Sequence, residues 1–391
     1  MKKKFLSLSI AATCSALCGG AHAQSSVTLY GLIDTGIVYS NNQGGYSNWQ
    51  VSSASTQNTV FGLKGIEDLG GGLHAQFALE QGFNSNNGTQ AFAGDGFGSQ
   101  AWFGLQSDSL GKLTLGRQFD VVNDLLGPIS ASFNTWGGSL AAHPFENDNL
   151  AADSVVPNNV IKYVSPEFYG TTVEGMYAMS NAAGGFADNR AYGAAVSFAR
   201  GGLAIAGGYL QFNDAGGGAR DINPAGALSS TDGSANFIAG RQRIWGAGAN
   251  YSFGAATVGA LWSHTQIDDM ASVLSIGAGR YLPLGGTLRL DNYEVNAHYA
   301  VTPAWSVSAA YTFTDGAYSD GATNASPVWH TGMLQTSYAL SKRSDVYLEG
   351  VYQHVHGAPA GSALSNAMIN TLSPSSTGTQ LAVIAGLRHA F

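Results

Sequence analysis

Apolar and polar residues alternate with a period of two along most of this chain, and no convincing 3.6-residue periodicity runs through any long window. In Trp305–Thr314, Trp305, Val307, Ala309, Tyr311 and Phe313 share one face, opposite Ser306, Ser308, Ala310, Thr312 and Thr314. In Asn292–Val301, Tyr293, Val295, Ala297, Tyr299 and Val301 oppose Asn292, Glu294, Asn296 and His298. Beyond the N-terminus there is no run of about 20 apolar residues, so a bundle of membrane helices is ruled out. Only 11% of the 391 residues are charged and 53 are glycine, against about 25% charged and about 7% glycine in ordinary soluble domains. A soluble surface is hard to build from so few charges. A wall with lipid on one face and water on the other fits both facts.

Sixteen alternating segments follow residue 24, starting near Val27, Asn58, Leu73, Gln100, Lys112, Val160, Thr172, Asn189, Leu203, Arg241, Ala256, Arg289, Trp305, His330, Ser344 and Gln380. Their connections give an independent check. Short ones at 67–72, 107–112, 165–171, 199–202, 253–256, 301–304 and 340–343 alternate strictly with longer ones near 40–57, 83–99, 120–158, 181–188, 213–240, 268–288, 316–329 and 356–379. An even-stranded antiparallel barrel with both termini on the short-turn side requires this parity, and a two-sheet sandwich does not. An unpaired backbone group in hydrocarbon costs several kcal/mol, so the first segment must pair with the last and close the sheet. Sixteen strands leave an aqueous bore, which eight would fill with side chains.

The connection Asp120–Asn158 stands apart. Its 39 residues exceed the roughly 12–15 beyond which structureless loops become uncommon. It carries Phe133, Trp136 and Phe145 among Asp120, Asp124, Glu146, Asp148 and Asp153. Three large aromatics in one loop call for something to pack against, and the expectation is that it folds into the bore and narrows it.

The N-terminus has the three parts of a secretory signal: Lys2–Lys4, an apolar core from Phe5 to Leu17, and small residues at Ala21-His22-Ala23. Residues 1–23 are expected to be removed, leaving 24–391 as one barrel domain. Both cysteines lie in that segment. Without Lys2, Lys3 and Lys4 the 17 basic residues fall to 14 against 25 acidic ones, a net charge of −11. No basic stripe remains to neutralise phosphates, so nucleic acid is not expected as a partner.

The stretches at 25–37 (SSVTLYGLIDTGI), 61–83, 100–120, 158–181 and 386–391 (GLRHAF) resemble, in this order and spacing, the general porins of Gram-negative bacteria, most closely the beta-proteobacterial subgroup. The resemblance implies an all-β, closed antiparallel 16-stranded outer-membrane barrel, usually a homotrimer, passing small hydrophilic solutes and ions by diffusion. It implies that Asp120–Asn158, the loop after the fifth strand, is the constriction. By position, Lys64 and Arg117 match wall residues facing it, and Phe391 matches the terminal aromatic read during assembly. The family's arginine before the FGLKG-type segment is Val60 here, and basic residues of enteric relatives are replaced at Leu32 and Val164. The basic side is therefore reduced to Arg117, Lys64 and Lys162, facing Asp120, Asp124, Glu146, Asp148 and Asp153. The partners implied are solutes and ions, outer-membrane lipid and lipopolysaccharide.

No G-x-S-x-G, H-E-x-x-H or Walker pattern occurs. His354 and His356 lie two apart with no third ligand in sequence, which reads as a rim pair rather than a metal site. No catalytic residue, metal or cofactor is expected. A substrate-specific channel on the same barrel is the alternative, and an outer-membrane barrel enzyme a distant one.

Overall fold

The computed structural model describes residues 26–391 except 153 and 221, so the expected signal segment and Asp153 lie outside the described residues. The strands are β1 (Ser26–Gln43), β2 (Tyr46–Ser53), β3 (Val60–Gly70), β4 (Leu73–Gly82), β5 (Gln100–Ser107), β6 (Gly111–Arg117), β7 (Val160–Val164), β8 (Thr171–Ala178) and β9 (Arg190–Arg200). They continue as β10 (Leu203–Ala215), β11 (Phe237–Phe253), β12 (Ala256–Ser275), β13 (Arg280–Ala300), β14 (Trp305–Ser319), β15 (Asn324–Ala325), β16 (Val328–Ala339), β17 (Ser344–His356) and β18 (Thr379–Ala390). Two of these are not wall strands. β2 folds back along the long-loop half of β1, from Thr35↔Ser53 to Gln43↔Tyr46, and β15 is a two-residue stub on β14. The other sixteen form an antiparallel wall in which β1 pairs with β3 on one side and β18 on the other. The sheet is a closed 16-stranded barrel.

The alternation sets the two faces. Leu29, Phe103, Val295 and Leu334 point out and are 55–69% exposed. A belt of that size on a soluble monomer would aggregate, and in a bilayer it meets lipid. The inward face carries Asp34, Thr114, Ser263, Asn292, Glu294 and Gln353, all buried by what fills the bore. Among the described residues no helix is long and apolar enough to cross a membrane; strands do the crossing.

Two long connections differ from expectation: residues 40–57 hold the β1–β2 hairpin rather than a plain loop, and the second departs further. Residues 268–288 were expected as a loop with the next strand starting near Arg289, but β12 and β13 run on as a hairpin closed at 276–279. Their register shifts between Ile267 and Met270 and again between Met270 and Ser272, and these irregularities let the ribbon bend above the membrane. Pro283, Gly285 and Gly286 imitate loop punctuation without ending the strand.

Candidate functional site

The segment between β6 and β7 leaves the wall and crosses the bore. Asp120 starts it by accepting hydrogen bonds from the Val122 and Asn123 amides, at 2.8 and 3.0 Å, which caps helix α1 (Val121–Leu125). The Asn149 side chain donates to the same carboxylate. Burial pushes the Asp120 carboxyl up to about 6. Four 3-10 turns follow, at 127–129, 131–133, 139–141 and 144–146, so the expected loop is a folded unit. Phe145 and Glu146 hold φ of +62° and +49°, a region that bulky residues rarely occupy without support from their surroundings.

Glycines on the wall receive it. A Cβ at Gly193, Gly208, Gly246 or Gly248 would stand 3.1, 3.1, 3.0 or 2.8 Å from Val121, Val122, Leu126 or Ile129 respectively. The missing side chains make a groove across β9–β11, and the loop's apolar residues press into it to form a buried cluster. Further along, Phe145 packs edge-on against Phe237 and Trp329.

The polar anchor is His143, fully buried with Asp148 at 2.6 Å from Nδ1 and Glu294 of β13 at 3.0 Å from Nε2. Burial works against a charge here but is outweighed by Asp148 and Glu294, which hold the imidazole at about 10. Glu294 also accepts from the Ser130 hydroxyl at 2.7 Å and the Ala131 amide at 2.8 Å. Asp148 accepts from Ser263 and Asn292 of the wall, and despite its burial His143 keeps its carboxyl below the usual range. The far end is tied to the closing seam. Arg388 of β18 donates to the Thr135 carbonyl and, at 3.2 Å, to the Thr56 hydroxyl, while pairing with Asp345 of β17 at 2.5 Å.

The sequence-picked residues fall into distinct places. Asp120, Glu146 and Asp148 are 0–2% exposed and hold the loop's shape; Glu146 accepts from Asn370 at 2.5 Å and Asn236 at 3.4 Å. Asp124 pairs with Lys162, whose ammonium also donates to the Phe119 carbonyl at 2.9 Å. Lys64 stands exposed on the bore face of β3, 5.1 Å from the Tyr30 ring centre. Arg117 is buried between Asp95 and Asp232, at 3.3 and 3.4 Å, and donates to Asn158 at 2.7 Å. It thereby clips two long loops together beside the constriction. Phe391 exchanges backbone hydrogen bonds with Gly31, at 3.0 and 3.2 Å. His354 and His356 stack with His330 on the outer face.

His143, Glu294 and Arg388 were not singled out from sequence. One signal was available: Glu294 and Arg388 lie on the bore-facing side of strands whose other side is apolar, and a charge there needs a partner. The segment 357–378 also folds inward, with Leu364, Ile369 and Leu372 buried and the Met368 and Ile369 amides donating to Gln353 and Gln380 at 2.6 and 2.8 Å.

The family described as Gram-negative porin matches residues 8–358. An outer membrane porin protein of Bordetella pertussis is 29% identical over 385 residues, covering 90% of this chain and 94% of that one. Among solved structures, the anion-selective porin from Comamonas acidovorans superposes with a TM-score of 0.69 at 24% identity, covering 94% of this chain and all of the other. A trimer form of the Vibrio cholerae outer membrane protein OmpT gives 0.62 at 15% identity, covering 94% and 99%.

Proposed function

The chain belongs to the Gram-negative porin family, and from that premise we propose that residues 120–158 form the constriction of its channel. It is an outer-membrane protein that passes small hydrophilic solutes by diffusion. The observation that carries the constriction reading is the anchorage of one segment at three separated places on the inner wall: the glycine groove of β9–β11, Glu294 of β13 and Arg388 of β18. A segment held at both sides of the bore divides it.

Asp120, Glu146 and Asp148 then act by holding the shape of the opening. Asp124, Lys162, Lys64 and Arg117 set the field beside it, with Asp153 on the acidic side by its place in the chain. A charged ring in a narrow low-dielectric bore selects among ions. Here three of the basic groups are neutralised, Lys162 by Asp124, Arg117 by Asp95 and Asp232, and Arg388 by Asp345. Val60 offers no charge at the bore-facing start of β3, and the net charge is −11 without the three N-terminal lysines. The channel is therefore weakly cation-preferring or nearly unselective. Reversal potentials in a KCl gradient across planar bilayers test this, and a clear chloride preference overturns it. Val60→Arg should move the reversal potential toward anions; an unchanged value places position 60 away from the narrow region.

Homotrimerisation is proposed by analogy with the trimeric Vibrio cholerae neighbour, to be checked by gel migration before and after heating. Outer-membrane lipid covers the apolar belt, and lipopolysaccharide meets the outer rim, where Arg190, Arg241 and Arg243 project. Cleavage after Ala23 is checked by sequencing the mature N-terminus. No catalysis is assigned to the barrel; phospholipase or protease activity of purified protein would overturn that.

A further inference from the structure

Two aromatic rings, each with an ammonium group beside it, stand on the bore face of β1 and β3–β6. Lys64 lies 5.1 Å from the Tyr30 ring centre, and Lys112 lies 5.4 Å from that of Trp102. Lys64, Ala78 and Trp102 are successive partners across β3, β4 and β5, which puts the lysine and the indole about 10 Å apart along the wall, with only an alanine between them. Lys112 is on β6, so the indole stands between the two lysines. Trp102 pairs in turn with Gly116, next to Arg117, where the constriction leaves the wall. Its Nε1 donates to the Gln100 side chain at 2.9 Å, which fixes the ring.

The carboxylates on this face are engaged or withdrawn. Glu80 is 7% exposed and accepts from the Tyr30 hydroxyl at 2.9 Å. Asp124 pairs with Lys162. Glu174, two strands from Lys112 in the same row, is 6% exposed. Lys64 is exposed, while Lys112 and Trp102 are half-buried. Among the described residues neither Lys64 nor Lys112 forms an ion pair. An anion moving along this wall therefore meets a free ammonium group and, beside it, an accessible ring.

From this juxtaposition, and resting on the porin reading above, we infer that the wall around Trp102 is a binding site for aromatic carboxylates passing through the channel. The ring of such a solute stacks on the indole, and its carboxylate takes a charge-assisted hydrogen bond from Lys64. Lys112 adds a second positive charge on the far side of the indole. Water in the bore weakens an isolated ion pair, so charge alone holds a solute poorly. An aliphatic carboxylate leaves the ring uncovered, and a neutral aromatic leaves the ammonium group to water.

The experiment uses the full-length mature protein in planar bilayers, with benzoate as probe, acetate as the charge without the ring and benzyl alcohol as the ring without the charge. Benzoate should reduce the open-channel current saturably, at a half-blocking concentration at least about threefold below that of either control. Trp102→Leu should raise the benzoate value about fivefold, the scale of one lost stacking contact. Lys64→Gln should raise it about threefold, the scale of one exposed ion pair. Benzoate no better than acetate or benzyl alcohol overturns the inference, and so does a conducting Trp102→Leu channel that benzoate blocks as readily as wild type. Should a variant fail to assemble, the comparison of the three probes on wild type decides. Absence of any conductance overturns the porin reading instead, so the two failures are distinguishable.

Discussion

His143 carries a carboxylate on each ring nitrogen, one from its own segment and one from the wall, so its protonated ring is the bolt between them. Removing one member of such a buried group leaves the others unpaired, typically at about 3–5 kcal/mol. The pH dependence follows from the direction of the shift. The imidazole is held near 10 against about 6.5 in an unfolded chain. Its contribution is complete below about 6.5 and is lost as pH rises through about 10. Asp148 works oppositely: with its carboxyl held low, its contribution is present above about 4 and is lost as pH falls further. Open-channel noise should therefore rise between pH 9 and 11 (an order-of-magnitude window) as the constriction loosens. His143→Gln should be noisy already at pH 7 and show no such step. Recordings from wild type that stay equally quiet to pH 11 would count against the bolt.

At the scale of elements, the first turns of the constriction lie flat against the wall because the wall lacks side chains where Val121, Val122, Leu126 and Ile129 arrive. A Cβ at Gly208 would stand 2.9 Å from the Ala195 Cβ and 3.1 Å from Val122, so Gly208→Val must push α1 toward the open bore. Overpacking of this kind costs about 1–3 kcal/mol, too little to unfold a closed barrel but enough to move a five-residue helix. The expected result is an assembled barrel with lower single-channel conductance; unchanged conductance would mean that α1 does not bound the passage. These contacts also mark where sequence reading stops. Wall strands such as β14 and β17 were legible because their alternation meets lipid on one side and water or loop on the other. The β12–β13 hairpin was misread because above the membrane no such contrast holds, and Pro283 and Gly285 then read as breakers. The narrowing segment was recognisable by its length and aromatics. Its fastenings were not, because Ser130 and Glu294, or Thr135 and Arg388, meet only after the whole cylinder has closed. A glycine in a strand looks the same in sequence whether it faces lipid, a turn or an arriving valine.

Over the whole molecule, closure and constriction share one strand. β18 pairs with β1 from Leu32↔Ala390 to Ser40↔Ala382, ends on Phe391, and carries Arg388 inward to the Thr135 carbonyl. A slip of one residue in this register would turn Arg388 toward lipid, at up to about 2–4 kcal/mol, and would release the far end of the constriction. The register therefore needs a stop, and Phe391 supplies one. Its backbone exchanges hydrogen bonds with Gly31, and its ring lies across the space that a Gly31 side chain would fill, an arrangement that covers a strand glycine with an aromatic. Phe391→Tyr keeps ring and backbone and should assemble like wild type. Phe391→Ser keeps the backbone pair but loses the ring, and deletion of Phe391 loses both. If the ring itself directs closure, both changes should lower the fraction of outer-membrane protein that migrates as the compact, heat-modifiable form on unheated gels, the deletion at least as severely. If the serine variant assembles at wild-type yield and only the deletion fails, the backbone pair alone sets the stop. Wild-type yields for both would remove Phe391 from any account of how the cylinder is sealed.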